Sequence, residues 1–184
     1  MRILTLLGTT LAVSTGLLSG MQVASAVRLA DGTVYFAQPP SLVSATTTYN
    51  QVYAWTATYY FTLSIPEDAG EPLQRVTISL DEGADEIEFN LKDSRAFEGT
   101  RQHKGERITL GALTQDKRSL SITFDPPVPP GKTVTIALYP FQNPRLGGIY
   151  LFGVTAFPPG EKTHGQFLGF GRLQFYESFE YPWP

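Results

Sequence analysis

The amino-acid sequence predicts an all-β protein, an antiparallel, immunoglobulin-like β-sandwich of about eight to nine strands. Three observations support this prediction. Many segments alternate apolar and polar residues, which is typical of half-buried strands. Almost no segment has the apolar repeat of a helix. Turns rich in Pro and Gly separate the strand segments at spacings of about ten residues, as expected for two packed sheets.

The N-terminal segment has the features of a secretion signal. Arg2 supplies a positive charge, an apolar run extends from Ile3 to Met21, and the segment closes on the small residues Ala24-Ser25-Ala26 that signal peptidase accepts. A transmembrane anchor is the alternative, but the run is near the lower length limit for a bilayer span and contains Gly, Ser and Thr. We therefore expect residues 1–26 to be cleaved after Ala26.

The rest of the chain is long enough for one domain with a sizeable core. We expect residues 27–176 to form a single β-sandwich domain and residues 177–184 to form an aromatic and acidic C-terminal tail. No segment after the signal is long and apolar enough to span a membrane. The protein is therefore expected to be exported to the periplasm or the cell exterior, without a transmembrane segment in its mature chain.

Sulfur content and charge exclude several classes of function. The sequence has no cysteine, and its two methionines, Met1 and Met21, both lie in the predicted signal. Disulfides, thiolate nucleophiles and sulfur ligands for metals are therefore excluded in the mature chain. The sequence has 14 basic and 17 acidic residues, and removal of Arg2 with the signal makes the balance more negative. This charge does not suit general nucleic-acid binding, which needs a basic surface.

The first predicted strand is the longest alternating segment, Tyr53 to Ile65. Its odd positions are apolar and its even positions are mostly hydroxylated, as expected of a half-buried strand. Pro66 ends the strand, because proline lacks the N–H that a ladder needs. Arg75 to Leu80 and Glu86 to Leu91 are the next two predicted strands, with a turn between them at residues 81–85.

A single helical turn is predicted at residues 93–99. Asp93 or Ser94 is suited to cap its start, and Gly99 is suited to end it in a left-handed conformation. No other part of the mature chain is predicted to be helical.

Three further strands are predicted at Arg107–Leu110, Leu120–Phe124 and Thr133–Tyr139. Pro130 and Gly131 lie between the last two. They suit the centre of a type II turn, because proline fixes φ and glycine accepts a positive φ.

The final two predicted strands, Gly148 to Phe157 and Phe167 to Tyr176, form a hairpin. Each contains the motif Phe-Gly-x-x-x-Phe, and both faces of each strand are apolar, which predicts central strands. In the predicted register, pairs of large apolar residues flank a pair of glycines, and the space beside these glycines admits an aromatic ring from the other sheet. The predicted cross-strand pairs are Phe157 with Phe167, Gly153 with Gly171, Leu151 with Leu173, and Ile149 with Phe175.

Several motifs together resemble a known family. They are Pro66–Leu73, Arg95–Gly99, Pro129–Ile136, Asn143-Pro144, Gly147–Pro158 and Gly165–Leu173. With these motifs the sequence resembles the cyanobacterial secreted family catalogued as domain of unknown function 2808, over most of the mature chain. The resemblance implies a signal-bearing protein of the cyanobacterial periplasm or cell exterior. It implies no established reaction and no catalytic residues.

Candidate metal ligands are few. The two histidines, His103 and His164, lie in separate polar, glycine-containing segments, and His164 is close in sequence to Glu161. Imidazole and carboxylate are ligands that suit Zn²⁺ or Cu²⁺. Asp81 and Asp85, with neighbouring acids, are candidate ligands for Ca²⁺, although the segment lacks the order of an EF-hand loop. Surface residues with no metal are the alternative in each case.

Exposed aromatic residues are the other candidates, as a platform for sugar rings or a docking surface for a protein. Tyr and Trp combine a large contact area with a polar group. For the aromatic residues early in the chain, the alternative is packing within the core. For those in the C-terminal tail, the alternative is packing along the domain or disorder. The candidates are Tyr53, Trp55 and Tyr60 early in the chain, and Phe179, Tyr181 and Trp183 in the tail.

The expected function is that of an exported, non-catalytic binding or structural module of the cell envelope or periplasm. Its expected partner is an envelope polysaccharide or envelope protein, and no cofactor or nucleic acid is expected. The alternative is a periplasmic metal-binding protein that uses His103, His164 and nearby carboxylates. A hydrolase is the third hypothesis, although no Gly-x-Ser-x-Gly motif accompanies the histidines.

Overall fold

The computed structural model describes residues 27–177. Two five-stranded antiparallel sheets pack face to face, and a short two-stranded pair lies beside them. Within the described residues there is no helix, and so no helix that is long and apolar enough to cross a bilayer. The strands are β1 Val27–Arg28, β2 Val34–Tyr35, β3 Ser41–Thr47, β4 Tyr59–Ser64, β5 Leu73–Glu82, β6 Arg95–Gly99, β7 Lys104–Ile108, β8 Leu110–Asp116, β9 Ser119–Val128, β10 Thr133–Leu138, β11 Gly148–Phe157 and β12 Gln166–Phe175.

The strand order is β3-β4-β10-β6-β7 in the first sheet, called sheet I below, and β12-β11-β5-β9-β8 in the second, called sheet II. This arrangement confirms the predicted all-β architecture of two packed antiparallel sheets. The twelve strands of residues 27–177 exceed the eight or nine predicted, because short and polar strands lack a clear apolar alternation.

The core lies between the two sheets and is rich in aromatic rings. Tyr59 and Phe61 of sheet I contact Phe152 of sheet II, with ring centroids 6.1 and 5.6 Å apart. In sheet II, Tyr150 and Phe175 meet edge to face at 5.3 Å. All five side chains are almost fully buried. Each such side chain contributes about 1.5–3 kcal/mol through burial, which stabilises a chain without disulfides.

The first long strand begins later than predicted. β4 starts at Tyr59, because the chain turns at Tyr53, which has a positive φ of 60°. From Tyr59 onwards the predicted alternation is confirmed, since Phe61 and Leu63 are buried in the core. On the other face, the Thr62 hydroxyl lies 2.9 Å from that of Thr135 on β10.

Two local predictions between residues 86 and 99 are wrong. Residues 86–91 do not form a strand, and only Phe89 makes an isolated bridge, to Pro140. The predicted helical turn is strand β6, which pairs with β10. Local capping residues favoured a helix there, but burial of Ala96 and its cross-strand pairing with Ile136 override that preference.

The sequence pattern did not predict strand β3, whereas the structure confirms the turn predicted at Pro130 and Gly131. Strand β3 was not predicted, because its sequence SLVSATT consists largely of small, hydroxylated residues. Gly131 has a φ of 78° after Pro130, as the predicted type II turn requires.

The C-terminal hairpin is confirmed, but its predicted register is wrong, by one residue for three of the four predicted pairs and by two residues for Phe157 with Phe167. Gly171 lies opposite Phe152, and Gly153 lies opposite Phe170. Both faces of β11 are apolar, so the pattern did not reveal which set points inward. The structure buries Tyr150 and Phe152 and leaves Ile149 exposed. A slip of one residue exchanges the two faces of a strand.

The predicted glycine gap exists at Gly171 and not at Gly153. A Cβ at Gly171 would lie 2.6 Å from the Cβ of Ala45 on β3 and 3.0 Å from Phe61 Cε1. A Cβ at Gly153 would instead meet the Asp81 carboxylate on the outer face of sheet II. One glycine therefore admits an aromatic ring into the core, as predicted.

Strand β12 lies at the edge of sheet II, contrary to the prediction of a central strand. A bulge interrupts its ladder with β11, since Val154 pairs with Gly169 and Thr155 pairs with Phe167, which leaves Leu168 as the extra residue. Gly169 has a φ of 113°, a conformation that favours glycine. The apolar residues on the outer face of β12 are Phe167 and Phe170. Both are exposed to solvent, and their ring centroids lie 5.1 Å apart.

Candidate functional site

A cleft of about 330 Å³ lies at one end of the sandwich, where three loops meet. These loops precede β4, follow β5 and follow β10. Two aromatic side chains and several polar ones line the cleft. The lining residues are Trp55, Asp85, Glu86, Glu88, Phe141, Gln142, Asn143, Pro144 and Arg145, and this set is called the aromatic–acidic cleft.

The aromatic residues of the cleft are unusually exposed. Trp55 has 72% of its surface accessible and Phe141 has 55%. Most aromatic side chains of this size contribute their area to a core or an interface. Two exposed rings within one concave region make the cleft the candidate site among the described residues.

Asn143 fixes the loop that carries Trp55. Its side chain is buried and donates hydrogen bonds from Nδ2 to the carbonyl oxygens of Tyr49 (3.0 Å) and Gln51 (2.8 Å). Its Oδ1 accepts a bond from the Tyr59 hydroxyl, and its backbone N–H donates to the Ala54 carbonyl oxygen at 2.8 Å. A single buried amide thus satisfies backbone groups of residues 49–54 and connects this loop to the core.

The loop after β10 is fixed by a carboxylate and a phenol. Asp85 Oδ2 accepts hydrogen bonds from the backbone N–H groups of Arg145 (2.6 Å) and Leu146 (3.1 Å). The Tyr150 hydroxyl donates to the Leu146 carbonyl oxygen at 2.9 Å. Burial, and next the negative charge of Asp85, raise the pKa of Tyr150. The loop after β10 is therefore held in place by hydrogen bonds with the side chains of Asp85 and Tyr150.

The acidic wall is built on an alternating segment. Ile87 and Phe89 are buried, so Glu86 and Glu88 between and beside them are exposed to the cleft. The side chain of Gln115 holds the backbone of this segment: its amide N–H donates to the Ile87 carbonyl oxygen, and its amide oxygen accepts from the Phe89 N–H. Within residues 27–177, neither glutamate has a basic side chain within ion-pair distance. Their carboxylates are therefore available as hydrogen-bond acceptors.

The structure divides the predicted early aromatic group. Trp55 lines the cleft, and Tyr53 lies beside it, half exposed, with its carbonyl oxygen accepting a bond from Gln142 Nε2 at 3.3 Å. Tyr60 lies elsewhere, on the outer face of sheet I, and is only 8% exposed. The predicted tail residues Phe179, Tyr181 and Trp183 lie outside the described residues, as does the predicted signal peptide.

The predicted metal ligands are dispersed. His103 lies in the turn between β6 and β7, whereas His164 lies between β11 and β12 and stacks on Tyr35 at 4.7 Å. Asp81 lies beside Gly153, and Asp85 binds backbone amides. Glu161 is exposed. Among the residues that the structure describes, no three His, Asp or Glu side chains are grouped to hold a metal ion.

Sequence reasoning missed Phe141 and Asn143. Phe141 follows Pro140 in a loop, so no strand periodicity marked it. The Asn143-Pro144 motif is the sequence feature that includes Asn143. A polar residue with a turn-forming amide between two predicted strands was the available signal, but its buried partners come from segments far apart in sequence.

The fold is that of an all-β domain with two packed antiparallel sheets and a solvent-exposed aromatic–acidic cleft. The chain belongs to the family described as protein of unknown function (DUF2808), whose profile matches residues 33–175. This match confirms the family resemblance of the sequence motifs. No curated protein matches the chain.

Proposed function

We propose that this protein is an exported, non-catalytic module that binds a polysaccharide of the cell envelope through the aromatic–acidic cleft. The observation that carries this proposal is the position of Trp55, which is 72% exposed while its loop is fixed by the buried Asn143. A rigid, exposed aromatic ring is the element that stacks on a sugar ring with little loss of conformational entropy.

The polar groups of the cleft suit the same ligand. Carboxylate oxygens of Glu86 and Glu88 accept hydrogen bonds, and the Gln142 amide both donates and accepts them. Sugar hydroxyls offer both kinds of group. Three carboxylates against the single basic residue Arg145 leave the cleft with a net negative charge, which repels polyanions. The expected ligand is therefore neutral or bears amino groups.

The location and source in this proposal rest on sequence features. Residues 1–26 have the composition of a cleavable signal, and the family resemblance implies a cyanobacterial periplasm or cell exterior. We also propose that the two-sheet sandwich is immunoglobulin-like in its arrangement. The antiparallel pairing of every strand in both sheets is consistent with that class.

The test compares two exposed aromatic residues. Trp55→Ala removes the proposed stacking ring, whereas Phe170→Ala removes an exposed ring from sheet II and serves as the control. Binding of the intact protein to insoluble envelope polysaccharide is measured by sedimentation, and binding to soluble neutral and amino-sugar oligosaccharides by calorimetry. We expect Trp55→Ala to weaken binding about tenfold or more, or ~1.4 kcal/mol.

The control is expected to bind as the wild type does, and both variants are expected to unfold at the wild-type temperature. Equal binding by Trp55→Ala and the wild type would contradict the proposal. An equal loss in Phe170→Ala would also contradict it, because the effect would then not belong to the cleft.

A further inference from the structure

The outer face of sheet I carries a second cluster of aromatic and charged residues. Tyr60, Phe97 and Ala137 form a small buried cluster there, apart from the main core, and Tyr139 packs against it. The three strands involved are adjacent, since β4 and β6 both pair with β10. The cluster lines a recess of about 190 Å³ that shares no residue with the aromatic–acidic cleft.

Basic side chains surround these rings. The Arg101 guanidinium lies 5.0 Å from the Tyr60 ring centroid, and Lys104 Nζ lies 5.3 Å from that of Phe97 and 6.0 Å from that of Tyr60. Cation–π contacts of this length hold the charged groups above the rings. Arg95 and Arg107 line the same recess and are exposed. These four residues are called the basic face below.

No residue of the basic face has a carboxylate within ion-pair distance in the described chain, although Glu106 lies between Lys104 and Arg107 on β7. Within residues 27–177, the ion pairs are Lys132 with Glu98 and Lys162 with Asp31, and neither includes a residue of the basic face. Four positive charges therefore stand together on a protein whose net charge is −3. The fold of β6 and β7 gathers part of the basic run from Lys92 to Arg118 beside one aromatic cluster.

We propose that the basic face binds an acidic polysaccharide through its carboxylate or sulfate groups. Charge complementarity identifies this occupant, because closely spaced cations without internal partners match a polymer with repeated negative charges. Guanidinium groups also bind carboxylate and sulfate oxygens with paired hydrogen bonds. The site is independent of the cleft proposed above, which disfavours anions.

Other anionic partners fit this surface less well. Tyr60 and Phe97 are 8% and 9% exposed, so their rings are too covered to insert into a lipid bilayer. The negative charge of the rest of the molecule disfavours a long nucleic-acid duplex, whose binding needs an extended basic footprint. A flexible acidic polysaccharide needs only a local patch.

The experiment uses the intact protein with two charge-matched variants. Arg95→Gln with Arg107→Gln removes two exposed charges from the basic face. Lys117→Gln with Arg172→Gln removes two exposed charges, one in the turn between β8 and β9 and one on β12, and is the control. Calorimetry at several salt concentrations measures binding to polygalacturonate, dextran sulfate, neutral dextran, anionic lipid vesicles and duplex DNA.

The wild type is expected to bind polygalacturonate or dextran sulfate and not neutral dextran, with affinity falling as salt rises. The basic-face variant is expected to lose at least about tenfold in affinity and to show a weaker salt dependence, because fewer counterions are released. The control is expected to change affinity less than about twofold, since rim charges far from a site contribute little. Arg107→Gln alone, measured alongside, should show an intermediate loss of affinity and, because Arg107 is exposed, should unfold at the wild-type temperature.

Three results would overturn the proposal. The first is wild-type binding to both acidic polymers that is no tighter than binding to neutral dextran. The second is an equal loss in the control variant, which would show that only net charge matters. The third is tighter binding to vesicles or duplex DNA than to either polysaccharide. None of these results depends on Trp55, so this proposal fails or stands separately from the cleft.

Discussion

The Tyr59 hydroxyl donates a hydrogen bond to Asn143 Oδ1 at 2.9 Å, and both side chains are buried. Tyr59 is also packed among the aromatic rings of the core, with Phe89 and Phe175 each 5.7 Å away between centroids. Asn143 therefore connects the most deeply packed part of β4 to the loop that carries Trp55. The position of the loop that carries Trp55 in the aromatic–acidic cleft therefore depends on this pair.

Replacement of Asn143 is expected to affect both stability and the cleft. Asn143→Ala leaves the Tyr59 hydroxyl and the carbonyl oxygens of Tyr49 and Gln51 without their partner, which costs about 2–3 kcal/mol. Denaturant unfolding monitored by circular dichroism measures this loss. Gln142→Ala, which removes only an exposed 3.3 Å bond to Tyr53, is the control and should cost less than about 0.5 kcal/mol. Similar costs for the two variants would contradict this role of Asn143.

Alkaline pH is expected to destabilise the fold through Tyr59. Burial, and next the charge of Tyr150, raise the pKa of Tyr59 far above its usual value of 10.0. Above pH 10 the unfolded chain loses this proton while the folded protein keeps it. The free energy of unfolding is therefore unaffected by Tyr59 ionisation below about pH 10. At higher pH it decreases by about 1.4 kcal/mol per pH unit, because folding must return a proton to Tyr59.

Tyr59→Phe tests this assignment. The variant should be less stable than the wild type at neutral pH by about 1–2 kcal/mol, because Asn143 Oδ1 loses its donor. Between pH 10 and 11 its stability should fall less steeply, by one proton. Unfolding free energies measured at half-unit steps of pH distinguish the outcomes, and parallel curves for the two proteins would show that Tyr59 does not control the alkaline limb.

The two hairpin glycines are expected to differ sharply in their tolerance of a methyl group. In Gly171→Ala the new Cβ meets Ala45 and Phe61 inside the sandwich, which costs about 1–3 kcal/mol. In Gly153→Ala it meets the ends of the Asp81 and Phe167 side chains on the outer face, which can move away. That variant should cost less than about 1 kcal/mol. A larger thermal destabilisation by Gly153→Ala would contradict the observed register.

Metal ions are expected to bind weakly to this protein. His103 and His164 lie in different sheet connections, and Asp85 already accepts two backbone hydrogen bonds. Titration calorimetry with Zn²⁺, Cu²⁺ and Ca²⁺ should therefore detect no site tighter than about 1 mM, the range of weak extracellular sites. A tighter site that is lost in His164→Ala would revive the metal-binding alternative, and His103→Ala provides the matched comparison.

Strand periodicity predicted the fold class where one face of a strand is apolar and the other is not. From Tyr59 to Leu63 and from Val76 to Leu80 the alternation alone identifies the residues that face the core. It was uninformative for β11, whose two faces are both apolar, so the hairpin register could not be chosen. For β6, local capping residues pointed to a helix, and pairing with β10 on one side and β7 on the other explains the strand.

The candidate site was less predictable than the fold. Exposed Trp55 was anticipated as an aromatic platform, but Tyr60 was grouped with it and lies on another surface. Phe141 and Asn143 lie about ninety residues from Trp55 in sequence, and the Asn143 bond to Gln51 spans 92 residues. Contacts between such distant segments depend on the strand order, which no local pattern encodes.

The bulge in β12 bears on whether a strand from another molecule can extend sheet II. Unpaired edge strands invite addition of a strand from another molecule, and the exposed Phe167 and Phe170 would strengthen such stacking. The extra residue at Leu168 and the left-handed conformation of Gly169 break the regular spacing of N–H and C=O groups along that edge. A strand from another molecule therefore cannot form a continuous hydrogen-bonded ladder along β12. Backbone geometry thus disfavours fibril formation through this edge of sheet II.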